Sequence, residues 1–270
     1  MNDKKNIYPV GYSDHVVDLF SKRTLETTAA FLLPYLKKGM FLLDCGCGPG
    51  SISMGFAEKL YPGQVIGVDL YVFQLERARK LAKKKNIVNI EFREADVLSL
   101  PFADAAFDIV YANALLCHLK EPMQAIDELK RVVKSGGIVA VREMDWGASI
   151  IYPENATLHE AVTLREKALN YLGCDYRIGR KLRKLFMDAG FKRVDASASC
   201  EVIPGTDDYS QGVPEYMARQ WETAPFAKVV LEKQWASPDR IKAYQEALRH
   251  FPNVPGAFRC TTWCQILAFA

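Results

Sequence analysis

Asp44 heads a run in which glycine recurs at alternate positions, Asp44-Cys45-Gly46-Cys47-Gly48-Pro49-Gly50-Ser51. Glycines at this spacing let the backbone turn tightly and stand close to a ligand, with no Cβ in the way. A carboxylate at the head of the turn can face the cationic end of a ligand. A helix opening just after it offers free N–H groups to an anionic end. This is the chemistry of a nucleotide cradle, but not of the dinucleotide pattern, because Ser51 stands where that pattern needs Gly or Ala. A second carboxylate, Asp69, closes Val65-Ile66-Gly67-Val68-Asp69, 19 residues after Gly50. There it can accept hydrogen bonds from both hydroxyls of a ribose.

Such groups work only if strands and helices hold them. The apolar run Met40 to Leu43 reads as a strand that stops at the turn, and Ser51 to Leu60 as the helix that follows. Val65 to Val68 is a second buried strand, and Ile90-Glu91-Phe92-Arg93-Glu94 a third by alternation. Ala95-Asp96-Val97 comes next, and then Leu100-Pro101-Phe102-Ala103-Asp104-Ala105-Ala106-Phe107-Asp108-Ile109-Val110, whose end is a fourth strand. Asn113 lies just past it, and Ser135-Gly136-Gly137 turns into a fifth strand, Ile138 to Arg142. Residues 12–37 read as two helices, the second with apolar Leu25, Ala29, Leu32, Leu33 and Leu36 on one side.

In order and spacing these segments resemble motif I and the following motifs of class I S-adenosylmethionine (SAM) methyltransferases. The lead-in Tyr12-Ser13, Ser21-Lys22-Arg23-Thr24 and Ala29 through Gly39 resembles the small-molecule branch called type 11, which includes the ubiquinone and menaquinone C-methyltransferases. The resemblance covers about residues 8–145. It implies an α/β fold: a Rossmann-like, seven-stranded, mostly parallel sheet with helices on both faces, its last strand antiparallel between the fifth and sixth. It implies SAM as cofactor, with S-adenosylhomocysteine as product. The residues it assigns to the cofactor are Asp44, Gly46, Cys47 and Gly48 in the cradle, Asp69 and Leu70 at the ribose, and Asp96 and Val97 at the adenine. Asn113 and His118 flank the cofactor, and Tyr12 and Arg23 fall at its methionine end. The C-terminal motifs of the quinone enzymes are absent, so their substrate is not carried over.

Two stretches exceed the minimal fold. Residues 146–176 leave the fifth strand, with helix-like Ala156 to Leu172. Residues 204–256 lie between the candidate strands Arg193 to Ile203 and Phe258 to Phe269 and carry Tyr209, Tyr216, Trp221, Phe226, Trp235 and Tyr244. Both leave the sheet at the edge where open α/β sheets bind ligands. The expected organisation is an N-terminal helical cover (1–39), a SAM-binding core (40–203 and 257–270, with the 146–176 insertion) and a helical lid (204–256). The expected reaction moves the sulfonium methyl to an O, N or C atom of a small, partly apolar acceptor. The alternative is a non-catalytic SAM-binding regulator or partner subunit of the same fold; converging thiols for arsenite methylation are not found. His118, Glu143 and Asp145 are the candidates for a general base or an acceptor contact. No set of acids for a metal ion can be assembled.

Composition sets the outer limits. The chain has 270 residues, 49% hydrophobic and 25% charged, with a net charge of +3, which argues against a nucleic-acid surface driven by charge. The basic run from Arg77 to Lys85 reads as a solvated helix face. The seven cysteines are scattered without C-x-x-C and read as small buried hydrophobes in a reducing compartment. The polar start Met1 to Asn6 and the lack of an apolar run of about 18–20 residues point to the cytoplasm. The expected partner is a small-molecule acceptor, and a homodimer is compatible with the sequence.

Overall fold

In a computed structural model, which describes Gly11 and residues 14–270, the chain opens with helix α1 (Asp14–Phe20) and a single turn, α2 (Leu25–Thr28). The second helix expected over residues 12–37 therefore breaks. Thr24 caps one turn through the Thr27 amide, Ala29 leaves helical geometry, and Ala30–Tyr35 winds on as a 3₁₀ segment around Pro34. Proline supplies no N–H to continue an α-helix. Leu25, Ala29 and Leu32 are buried with Leu42, Phe56 and Tyr111 against one face of the sheet. Of the N-terminal segment, α1 and the turn after it reach the ligand side.

The sheet begins with β1 (Phe41–Cys45), α3 (Ser51–Leu60), β2 (Gln64–Asp69), α4 (Val72–Lys84), β3 (Ile90–Glu94) and β4 (Phe107–Asn113), all its strands parallel. β1 and β4 are buried on both faces, so their sequences are apolar nearly throughout. Leu42, Val65, Ile109 and Tyr111 face α2 and α3, while their neighbours Leu43, Ile66 and Val110 belong to the cluster on the opposite face. The acids of the fourth-strand signature prove structural. Asp108 accepts the Phe41 amide (2.8 Å) and pairs with Lys134 (2.7 Å), clamping β1 to β4. Asp104 and the carbonyls of Leu100 and Phe102 are gathered by Arg131. The basic face of α4 lies in solvent, as its charge implies, except that Arg77 reaches Asp14 and Asp18 of α1 and Arg79 donates to the Phe92 carbonyl (2.7 Å).

Next come α5 (Pro122–Val132), β5 (Val133–Tyr152), α6 (Ala156–Tyr171), α7 (Leu182–Asp188), β6 (Arg193–Ile203), α8 (Asp208–Thr223), α9 (Pro225–Glu232), α10 (Pro238–His250) and β7 (Phe258–Phe269). The sheet order is β3-β2-β1-β4-β5-β7-β6, with β7 antiparallel to both neighbours. The fifth strand extends beyond the Ile138–Arg142 expected, pairing with β7 to Asp145 and again from Ile150 to Tyr152 after an irregularity. Because β7 runs backwards, its first residues meet the ends of β5 and β6 at one edge. Helices α6 and α8–α10 stand over that edge, and α1 packs on α8. Among the described residues no helix is long and apolar enough to cross a membrane.

Candidate active site

A cavity of about 900 Å³ opens at the carboxyl ends of the parallel strands. Its floor at one end is the turn between β1 and α3, with Asp44, Gly46, Cys47 and Gly48, joined by Asp69, Leu70 and Gln74 from the β2–α4 connection. Asp69 holds this floor together: Oδ2 accepts the Gly48 amide at 2.9 Å and Oδ1 the Tyr71 amide at 3.0 Å. Val97, Asn113 and His118 line the middle. Every described residue assigned to the cofactor by sequence thus lines this cavity except Asp96, whose carboxylate turns back to accept the Leu98 amide (2.9 Å). Its neighbours Ala95, Val97 and Leu98 line the cavity in its place. Tyr12 lies outside the described residues.

The cradle fits a SAM-sized cation with a ribose. Gly48 is in the left-handed region (φ +52°), and a Cβ there would stand 3.0 Å from Gln74 Oε1. That oxygen is itself a buried acceptor with no partner among the described residues, on a side chain that lines the cavity. Asp44 is buried and receives the Ser53 hydroxyl; burial pushes its carboxyl up to about 7, against the Ser53 bond and with Asp69 adding to the rise. Burial also raises Asp69, against the amides that bond it. A cationic ligand would relieve both.

The opposite end of the cavity is walled by aromatic and cationic groups. Trp146 lies 4.7 Å from the Tyr176 ring, and the Arg165 guanidinium sits 4.6 Å over its indole. Arg23 donates to Tyr209 Oη (2.6 Å) and lies over Phe20, whose carbonyl accepts the Ser51 hydroxyl at the start of α3. Arg23 therefore stands between the cradle and α8. Tyr216 and Met217 of α8, Thr261 and Trp263 of β7, and Glu201 and Ile203 of β6 complete the wall.

Of the three candidate bases, only His118 lines the cavity. Its Nδ1 is 3.4 Å from Tyr176 Oη, and burial, then the nearby Arg165 charge, pushes its pKa down to about 3. The imidazole is neutral and a weak base. Glu143 and Asp145 do not face the ligand, and strand alternation is the reason. Met144 and Trp146 of β5 point into the cavity, so residues 143 and 145 point to the other face, as Val139 and Val141 do. There Glu143 accepts the amides of Leu115 (2.8 Å) and Leu116 (2.6 Å), pinning the loop after β4. Asp145 is gripped by both arms of Arg180 (2.6 and 2.8 Å). Both acids bond to the scaffold around them, and neither lines the cavity.

The insert aromatics divide the same way. Tyr209 and Tyr216 line the cavity. Phe226 and Tyr244 both pack on Trp221 as a core for α8–α10, with ring centroids 5.1 and 5.0 Å from the indole. Trp235 packs on Tyr171 instead. Trp146→Ala is therefore expected to cost about tenfold in acceptor KM or kcat with SAM affinity unchanged. Trp221→Ala should lower stability by about 3–5 kcal/mol and leave the KM of the folded fraction alone. Thermal melts with steady-state kinetics check both, and the opposite pattern would reassign the two tryptophans.

Sequence reasoning missed Gln74, Tyr111, Tyr176, Arg165, Glu201, Arg259 and Trp263. Gln74, three residues beyond the acid-ended second strand, was within reach of inspection. The others come together only through strand register or helix packing.

Comparison with known proteins agrees with this geometry. Residues 36–190 match the model of a methyltransferase domain. An uncharacterised methyltransferase of Schizosaccharomyces pombe is 36% identical over 200 residues, covering 71% of this chain and 72% of that protein. A demethylmenaquinone methyltransferase of Lactococcus lactis is 30% identical over 206 residues, covering 72% and 78%. The fold resembles that of a SAM-dependent methyltransferase from Aquifex aeolicus at a TM-score of 0.51 and 19% identity, covering 72% of this chain and 93% of that one. A match over more than half the chain, together with the Rossmann-like sheet, decides the matter: the chain belongs to the methyltransferase-domain family and is a class I SAM-dependent methyltransferase of the small-molecule type.

Proposed function

We propose that Asp44, Gly46, Cys47, Gly48, Asp69, Leu70, Val97 and Asn113 hold SAM, that Arg23 takes its carboxylate, and that a small, partly apolar acceptor is methylated on O, N or C at the lid end. The observation that carries this reading is continuity: one cavity joins the glycine cradle to the aromatic wall. When bound, SAM supplies a methyl group already activated on a cationic sulfonium. The protein's task is then alignment and exclusion of water, worth about 7–11 kcal/mol when geometry is right. Asp69 presents a fixed carboxylate to a ribose. Arg23 offers a planar fork to a carboxylate. His118, neutral and held beside Tyr176, orients the reacting groups and takes no proton from a strongly basic acceptor. Trp146, Tyr176, Tyr216 and Met217 keep the acceptor's surroundings apolar.

The raised Asp44 pKa supports a measurable linkage. The folded protein holds this proton more tightly than the unfolded chain, so the corresponding stability is present below about pH 4 and lost as pH rises through about 7. A cationic ligand reverses the bias and expels the proton. Binding of SAM at pH 6–7 should release about one proton, seen as a calorimetric enthalpy that changes with buffer ionisation enthalpy. Asp44→Asn should abolish that dependence. An enthalpy independent of buffer in the wild type would take Asp44 away from the cation.

The function as a whole is tested by incubating the protein with SAM and pools of small apolar acceptors and following S-adenosylhomocysteine. Release above the no-acceptor rate is expected. Tight SAM binding without release on any pool would instead favour a SAM-binding regulator. The scattered, unpaired cysteines and moderate charge support a cytoplasmic location.

A further inference from the structure

The two ends of the cavity differ in charge. Asp44 and Asp69 stand at the cradle, whereas the lid end presents Arg165 and Arg259, with the Glu201 carboxylate acting on Arg259. Arg259, on β7, is 7% exposed and Arg165, on α6, is 3% exposed. Arg165 is engaged by Tyr216 and lies between the Trp146 and Phe226 rings. Arg259 is not satisfied. Its Nη1 donates to the thioether of Met217, a weak acceptor, and its Nε has no partner among the described residues. It is in none of the ion pairs of the described residues. Glu201 raises the pKa not only of Arg259 but also of Arg23 and Arg142, so one carboxylate serves several cations.

A buried guanidinium without a counter-charge costs several kcal/mol and persists where something else repays it. Burial, then the Arg165 charge, lowers the Arg259 pKa to about 10 against the opposing pull of the shared Glu201. Glu201 is shared among Arg259, Arg23 and Arg142, so guanidinium groups outnumber this carboxylate and the lid end is left net positive. An anion matches that charge. The flanking surfaces are apolar: the flat Trp146, Tyr176 and Tyr216 rings and the adaptable Met144 and Met217 side chains.

We propose that the methyl acceptor carries a carboxylate on an aromatic or similarly flat apolar body, and that Arg259, with Arg165 beside it, binds that carboxylate. This rests on the reading of the lid end as the acceptor site. Arg23 is held by Tyr209 and Phe20 next to α3, and the proposed function already commits it to the cofactor's carboxylate.

The test uses the full chain saturated with S-adenosylhomocysteine. Benzoate, cinnamate, 1-naphthoate and indole-3-acetate are each titrated beside the matching primary amide. At least one acid should bind about tenfold more tightly than its amide, the worth of one charge-assisted bond. Arg259→Gln and Arg165→Gln should each erase that preference while S-adenosylhomocysteine affinity stays within about twofold. Arg259→Met should melt no lower than wild type in the absence of ligand, because removing an uncompensated buried charge is neutral or stabilising. Amides binding as well as acids throughout the panel, an acid preference surviving Arg259→Gln, or an Arg259→Met protein that melts well below wild type would each overturn the proposal. Failure to bind S-adenosylhomocysteine in the same titrations would instead strike the cofactor reading.

Discussion

Gly48→Val should abolish SAM binding, raising Kd at least about 100-fold, or roughly 3 kcal/mol, in a protein that still folds. Gly48 sits at φ +52°, a region that costs an L-residue about 1–2 kcal/mol and a β-branched one more. Its new Cβ would stand 3.0 Å from Gln74 Oε1, at the end of a side chain that can shift, and the methyls beyond it would enter the cavity. The damage is thus directed at the ligand. Gly50 offers the contrast. At φ +75° its Cβ would lie 2.6 Å from Phe92 Cζ and 2.9 Å from Ala78 Cβ, inside the packing of α4 on β3. Gly50→Val should lose the fold along with the binding. Calorimetry with SAM beside a thermal melt separates the two, and normal binding by Gly48→Val would show that the turn is not the cradle.

Asp69→Ala is expected to weaken SAM by about 2–4 kcal/mol, the loss of two charge-assisted hydrogen bonds to a diol. The same carboxylate ties Gly48 and Tyr71 into place. The alanine variant therefore also frees two amides and should melt lower. Asp69→Asn keeps one acceptor oxygen and the side-chain shape but sets an NH2 donor against one of the two amides, so it should lie between wild type and alanine in both affinity and melting. A folded Asp69→Ala protein with unchanged calorimetric affinity would remove Asp69 from the site.

The glycine-turn end of the cavity was legible in the sequence because its residues follow one another. Asp44 to Gly48 form one turn, and Asp69 closes the next strand, so each element ends on a residue that lines the cavity. The opposite end was not. Arg259, Thr261 and Trp263 on β7, and Glu201 and Ile203 on β6, become one wall only through an antiparallel register between strands separated by the whole helical insert. The misplacement of Glu143 and Asp145 has a related cause. Ile138-Val139-Ala140-Val141 is apolar at every position because β5 is buried on both faces, so it carries no alternation from which to count which later residues face the ligand. Trp221 and Tyr216 lie on the same helix, and only the packing of α10 against α8 shows that the first turns away from the cavity.

The position of β7 also bears on the order in which the molecule is made. β6 is an edge strand whose neighbour is β7, and β7 follows it only after three helices. β2 pairs with β1 and β3, and β4 with β5, each across a single α-helix, so those contacts close short loops, whereas β7 pairs with β5 across more than a hundred residues, from Tyr152↔Phe258 to Ile138↔Phe269. The wall around the acceptor waits for a distant segment to thread between two strands already present, a slower class of event. During refolding, amides of β1, β2 and β4 should gain protection before those of β6 and β7. The protein would then pass through a stage that can hold the methyl donor and has, as yet, nowhere to put the methyl.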